Sequence, residues 1–223
     1  MNDDRAFPPL PKCIAEKFEQ ISHDVSWIHA RWIIYKQLFA HSEKRIDLLN
    51  QCAPNFFMIM QRVLIDDVLL ALNRLADRAT TQRYERLSLE WIATRLREVA
   101  DEDLLASTHE KLASFREQCQ PFKTHRNKRL AHRDLQASLA SNTEPLPGIT
   151  LHMIDNALAI VRDYLNAIEG HFCDSRTDYE TFLMVGDANS LISHLAQGLR
   201  CEELWRSGTV PYDDFDKSEW HDA

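Results

Sequence analysis

The chain has 223 residues, enough for one large domain, or a core plus additions, without disulfide or metal staples. Its net charge of −8 and pI near 5.7 argue against indiscriminate nucleic-acid binding but leave room for a small basic site. Five cysteines, at 13, 52, 119, 173 and 201, show no CxxC spacing, which argues against a disulfide framework or zinc finger and for a reducing, cytoplasmic setting.

The acidic start Met1–Arg5 lacks the apolar core of a signal peptide. Residues 1–11 hold three prolines and read as a loose arm. From Ile14, apolar residues at 14, 18, 21, 25, 28, 32, 35 and 39 predict a long amphipathic helix. Ser42 is placed to cap a short helix running to about Asn50. Pro54 suits a helix start. Phe56, Phe57, Met60, Val63, Leu64, Val68, Leu72 and Leu75 then predict a broad core-facing surface, ending near 76–78. Arg62, Asp66 and Asp67 interrupt its apolar run and exclude a membrane span.

Residues 78–87 read as a polar connector. Ser88 caps the next predicted helix, with Trp91, Ile92, Leu96 and Val99. Asp101 and Asp103 open another, with Leu105, Leu112, Phe115 and Cys119 towards the core. Pro121 forces a break or kink, so a further helix is expected over about 122–139. Residues 141–148 form a loop. Thr150 opens a helix with Ile154, Leu158, Val161, Leu165 and Ile168, stopped by Gly170. Asp187 opens a last one with Leu191, Leu195 and Leu199, before an acidic tail from Tyr212. No hairpin signal is present. The expectation is an all-α bundle of about seven or eight helices, with a helical domain at 12–170 and a C-terminal helical extension with acidic tail at 171–223.

One stretch stands apart. From Lys123 to Arg133 the chain holds five Lys/Arg, two His and no carboxylate. It lies near the start of its predicted helix, where backbone amides and the dipole favour an anion. Such a run is either a solvated helix face or a site that handles a phosphodiester. Arg126-Asn127 followed by Ala131-His132 favours the second.

Arg126-Asn127-x-x-x-Ala131-His132 resembles the R-x(4–6)-H motif of HEPN domains (higher eukaryotes and prokaryotes nucleotide-binding), with the polar residue that often follows the Arg. Asn73-Arg74-Leu75-Ala76-Asp77 and then Ser88-Leu89-Glu90-Trp91 extend the likeness to the AbiU-type abortive-infection branch, over roughly residues 15–170. The resemblance implies a helical bundle that dimerises through its motif helices, with Arg and His as the catalytic pair of a metal-independent endoribonuclease. It equally admits a non-catalytic member that binds RNA, nucleotide or protein.

The side-chain chemistry fits cleavage. Histidine titrates near neutrality and serves as base or acid, while arginine offers a fixed fork of donors to phosphate. No metal or other cofactor is expected. On one helix, Arg126 and His132 point about 120° apart and lie roughly 9 Å apart along the axis. Two antiparallel copies would bring the motifs together, so a two-fold homodimer with the site at its interface is expected. Asn127 either assists catalysis or caps the helix. His125, seven residues before His132 with Arg129 between them, either contacts substrate or is a polar surface residue. Lys123, Lys128, Arg129 and Arg133 are expected to meet the RNA backbone. A third option is a helical protein whose basic stretch docks an acidic, antitoxin-like partner.

Other patterns carry less. His132-Arg133-Asp134-Leu135 mimics a kinase catalytic loop but has Leu139 where that loop needs Asn, and no Gly-rich loop precedes it. Asp66 and Asp67 read as the polar edge of their helix, and Arg74 with Asp77 as an i, i+3 ion pair.

Overall fold

The structure, a computed structural model, describes residues 10–81, 84–125, 148–181 and 185–209. Among them are eight helices and one short hairpin. The helices are α1 (Lys12–Phe39), α2 (Glu43–Cys52), α3 (Pro54–Ala76), α4 (Leu89–Leu96), α5 (Glu102–Gln118), α6 (Gln120–His125), α7 (Leu151–Cys173) and α8 (Ala188–Arg206). The hairpin pairs β1 (Thr80–Thr81) with β2 (Tyr84–Glu85). The protein is all-α, as its periodicity predicts. No helix among the described residues is long and apolar enough to cross a membrane. By contact the chain divides into two compact units, Met1–Trp32 with Ile65–Phe182, and Ile33–Leu64 with Leu183–Ala223.

In the first unit the α1 seam buries Ile14, Phe18, Ile21, Val25, Ile28 and Trp32, as its spacing predicts. From α7 come Ile154, Leu158, Val161, Tyr164, Leu165 and Ile168. Each such side chain stabilises by roughly 1.5–3 kcal/mol on burial. Two of the buried aromatic side chains have their polar atoms matched. Trp32 Nε1 donates to Asp155 Oδ1 at 2.8 Å, and the Tyr164 hydroxyl to the Leu89 carbonyl at 2.9 Å. Tyr179, beyond α7, is buried with its hydroxyl 2.7 Å from Ser22 Oγ.

The second unit centres on Leu38, Leu49, Phe57 and Ala188, with Ile192 and Leu195 packed against them. Ser42 caps α2 by accepting from the Arg45 amide, and Asp187 caps α8 by accepting from Ser190. Gln37 Nε2 also donates to Asp187, at 2.8 Å.

Several expectations are corrected. Phe56 and Val63 are 56% and 53% exposed. The first half of α3 is apolar on more than one side, and among the described residues only the side of Phe57 packs into the core cluster. Leu191 is exposed while Ile192 packs inward, and Val99 lies exposed beyond α4. On α5, Leu104 and Thr108 are buried and Leu105 is half-buried. Ser88 caps α4 by backbone position, without a side-chain hydrogen bond. Gly170 does not end α7. A helical glycine costs only about 1 kcal/mol, and the terminus comes at Asp174 in the left-handed region, φ 48°. The hairpin carries none of the Gly or Asn turn signals that mark hairpins in sequence.

Tyr164→Phe is expected to destabilise the protein by about 1 kcal/mol, since it leaves the Leu89 carbonyl without this donor. Urea unfolding checks this through a lower midpoint at unchanged slope.

Candidate nucleic-acid interface

The approach to the basic stretch is built by a helix break. Cys119 ends α5, and Pro121 falls in the first turn of α6, where its missing amide costs no helical bond. The Lys123 amide donates to the Cys119 carbonyl at 2.9 Å and carries the chain past the break. Leu112, Phe115, Cys119, Phe122 and His125 follow one another at steps of three and four, and all are buried. The buried stripe therefore runs through the break in phase. Gln118 Nε2 adds a bond to the Met153 carbonyl of α7, at 3.1 Å.

Two of the expected site residues are described. Lys123 is exposed on α6. His125 is 8% exposed, so it is not the polar surface residue that one sequence option offered. Three residues after Phe122, it continues the core stripe. Arg126, Asn127, Lys128, Arg129, His132 and Arg133 lie outside the described residues. All five cysteines are free thiols. Burial pushes the Cys119 thiol up to about 12, which keeps it protonated and makes it packing rather than a nucleophile.

A second polar cluster lies where the end of α3, the hairpin, α4 and α5 meet. Asn73 is buried and donates to the Leu69 carbonyl at 2.8 Å. Asp77 Oδ2 accepts from Arg86 at 2.8 Å. Arg116 of α5 ties the junction together. Its Nε donates to the Ala76 carbonyl at 3.1 Å, its Nη2 to the Asp77 carbonyl at 3.4 Å, and it pairs with Glu90 at 3.0 Å. Those carbonyls are among the ones a helix end leaves without an intrahelical donor. The other Glu90 oxygen accepts from the Ala79 amide at 2.6 Å. Burial raises the Glu90 carboxyl, but the Ala79 amide and the Arg116 and Arg78 charges outweigh it and hold the group below its ordinary value.

Beside this junction is a cleft of about 440 Å³, lined by Arg78, Glu85, Glu90, Trp91, Arg95 and Arg116 among others. The Arg95 guanidinium lies over the Trp91 ring, 5.2 Å from its centroid, and pairs with Glu85 at 3.5 Å. Trp91 Nε1 donates to the same carboxylate at 3.2 Å. Sequence reasoning named Trp91 only among the apolar residues of its helix and passed over Arg95 and Arg116. The one available signal was the i, i+4 spacing of Trp91 and Arg95. Elsewhere in this unit, Asp67 pairs with Arg31 at 2.7 Å, consistent with a structural helix edge.

A family model described as AbiU2, of the HEPN type, matches residues 11–191. No curated protein and no solved structure matches the chain. The matched span takes in the basic stretch, the helix end at 73–77 and the helix start at 88–91.

Glu90→Gln is expected to cost about 1 kcal/mol at neutral pH, because a charged acceptor shared by Ala79 and Arg116 is lost. A lowered carboxyl pKa stabilises the fold above its unfolded value, and that contribution fades as pH falls through the folded value. The gap between variant and wild type should thus close as pH drops below 4.5, the group's ordinary value. Thermal melts across pH check this.

Proposed function

The chain belongs to the AbiU2 family of HEPN domains, and on that premise we propose that it is an endoribonuclease of the abortive-infection type. Its role is phage defence, or toxicity to its own cell, in the cytoplasm. The observation that carries this reading is the Arg126-Asn127…Ala131-His132 motif. It lies inside the matched span and is the centre of a run of five cations in a chain of net charge −8.

In this reading His132 takes the proton from a ribose 2′-hydroxyl. The freed oxygen attacks the adjacent phosphorus, and the bond to the 5′-oxygen breaks. The imidazolium so formed then gives its proton to that leaving oxygen. Arg126 places its guanidinium on the phosphate oxygens, where negative charge builds up. Asn127 orients the motif. Lys123, Lys128, Arg129 and Arg133 hold the RNA backbone. His125, buried one residue before Arg126, anchors the last turn of α6. The products carry a 2′,3′-cyclic phosphate and a 5′-hydroxyl. The 120° offset of Arg126 and His132 on one helix makes the site a shared one, at a two-fold homodimer interface. An acidic partner protein is a natural inhibitor of so basic a stretch.

Purified wild type is expected to cleave total cellular RNA in the presence of EDTA and to leave cyclic-phosphate ends. Arg126→Ala and His132→Ala are each expected to lose at least about 100-fold in rate, the usual scale of one acid–base or oxyanion group. Cleavage by all three would expose a contaminant and remove the support for both roles. RNA bound but left intact by wild type would instead favour the non-catalytic HEPN module.

A further inference from the structure

We propose that the cleft at the α3–α4–α5 junction is a binding site for one nucleotide unit, its base stacked on the Arg95 guanidinium and its phosphate held by Arg78. The cleft's volume of about 440 Å³ falls in the range that holds a small organic ligand. Its two functional surfaces are of the kinds nucleotides use. Arg95 is already laid over Trp91, at 5.2 Å. That gives a flat, pre-ordered cation–π platform, and bases stack on aromatic rings and guanidinium planes alike. Arg78 is exposed, and it lies close enough to Glu90 to help hold that carboxyl ionised.

The remaining charges narrow the ligand further. Three arginines against Glu85 and Glu90 leave the lining at +1 (three minus two). That balance suits a single phosphate and disfavours a polyphosphate. The carboxylates can accept from ribose hydroxyls or an exocyclic amine. Arg116 is held by Glu90 and by two carbonyls, so it shapes the floor of the cleft. The nucleotide comes either from a strand of RNA or from the free pool. The first source rests on the nuclease reading above; the second does not.

The test compares wild type, Trp91→Ala, Arg95→Ala and Arg97→Ala. Arg97 is exposed at the end of α4 and does not line the cleft, so its loss controls for net charge. The probes are adenosine 5′-monophosphate, by calorimetry, and a labelled 2′-O-methyl oligoribonucleotide, by anisotropy. The oligonucleotide has no 2′-hydroxyl to attack. Loss of a stacking platform should weaken binding about tenfold. That loss in Trp91→Ala and Arg95→Ala but not in Arg97→Ala, for the oligonucleotide, places the cleft on the RNA path. The same pattern for the mononucleotide alone makes it a free-nucleotide site. Equal affinity in all four proteins, an equal loss in Arg97→Ala, or no binding of either probe by wild type overturns the proposal. If wild type binds the mononucleotide but no RNA, the nuclease reading fails while this one stands.

Discussion

Arg116 is the constraint on which the first unit's polar architecture depends. One guanidinium reaches from α5 to two carbonyls at the end of α3 and to a carboxylate on α4. Three chain segments are thereby fixed to one another by one planar cation with several donors in a fixed fork. Glu90 completes the arrangement by binding the Ala79 amide at the foot of the hairpin. The two short patterns at 73–77 and 88–91, which looked like separate signatures in sequence, are parts of one joint. The cleft beside it is lined by two members of that joint, Glu90 and Arg116, together with Trp91 and Arg95 of α4.

The same helix that carries Arg116 also leads to the basic stretch. Its buried stripe passes the Cys119 break without changing phase. The register of α6 is thus inherited from α5, which is packed along α7. α6 therefore ends, at His125, on a buried turn packed into the core.

Much of the fold was legible in the residues. The α1 seam, the Ser42, Asp101, Thr150 and Asp187 caps and the Pro54 start could be read because each follows from local geometry or spacing. What could not be read has a common cause. Phe56, Val63 and Leu191 are apolar residues on helices that, among the described residues, pack on one side, and periodicity does not say which side. The hairpin depends on Glu90 capturing Ala79 and on Arg86 returning to the Ala79 carbonyl, long-range bonds invisible in a local pattern. The cleft escaped notice for the same reason, since its arginines come from three segments. The motif itself was legible as a family signature, but the burial of His125 was not. A histidine in a basic run looks solvated until the core stripe that includes it is traced.

The central claim is that Arg126 and His132 act together across two copies of the chain. Mixing Arg126→Ala protein with His132→Ala protein tests it most directly, after subunit exchange has been verified by native mass spectrometry. Each mixed dimer regains one site with an intact arginine from one copy and an intact histidine from the other. The account predicts that two inactive proteins recover metal-free RNA cleavage on mixing, to about a quarter of the wild-type rate if exchange is random. Mixed dimers that form and stay inactive would contradict it.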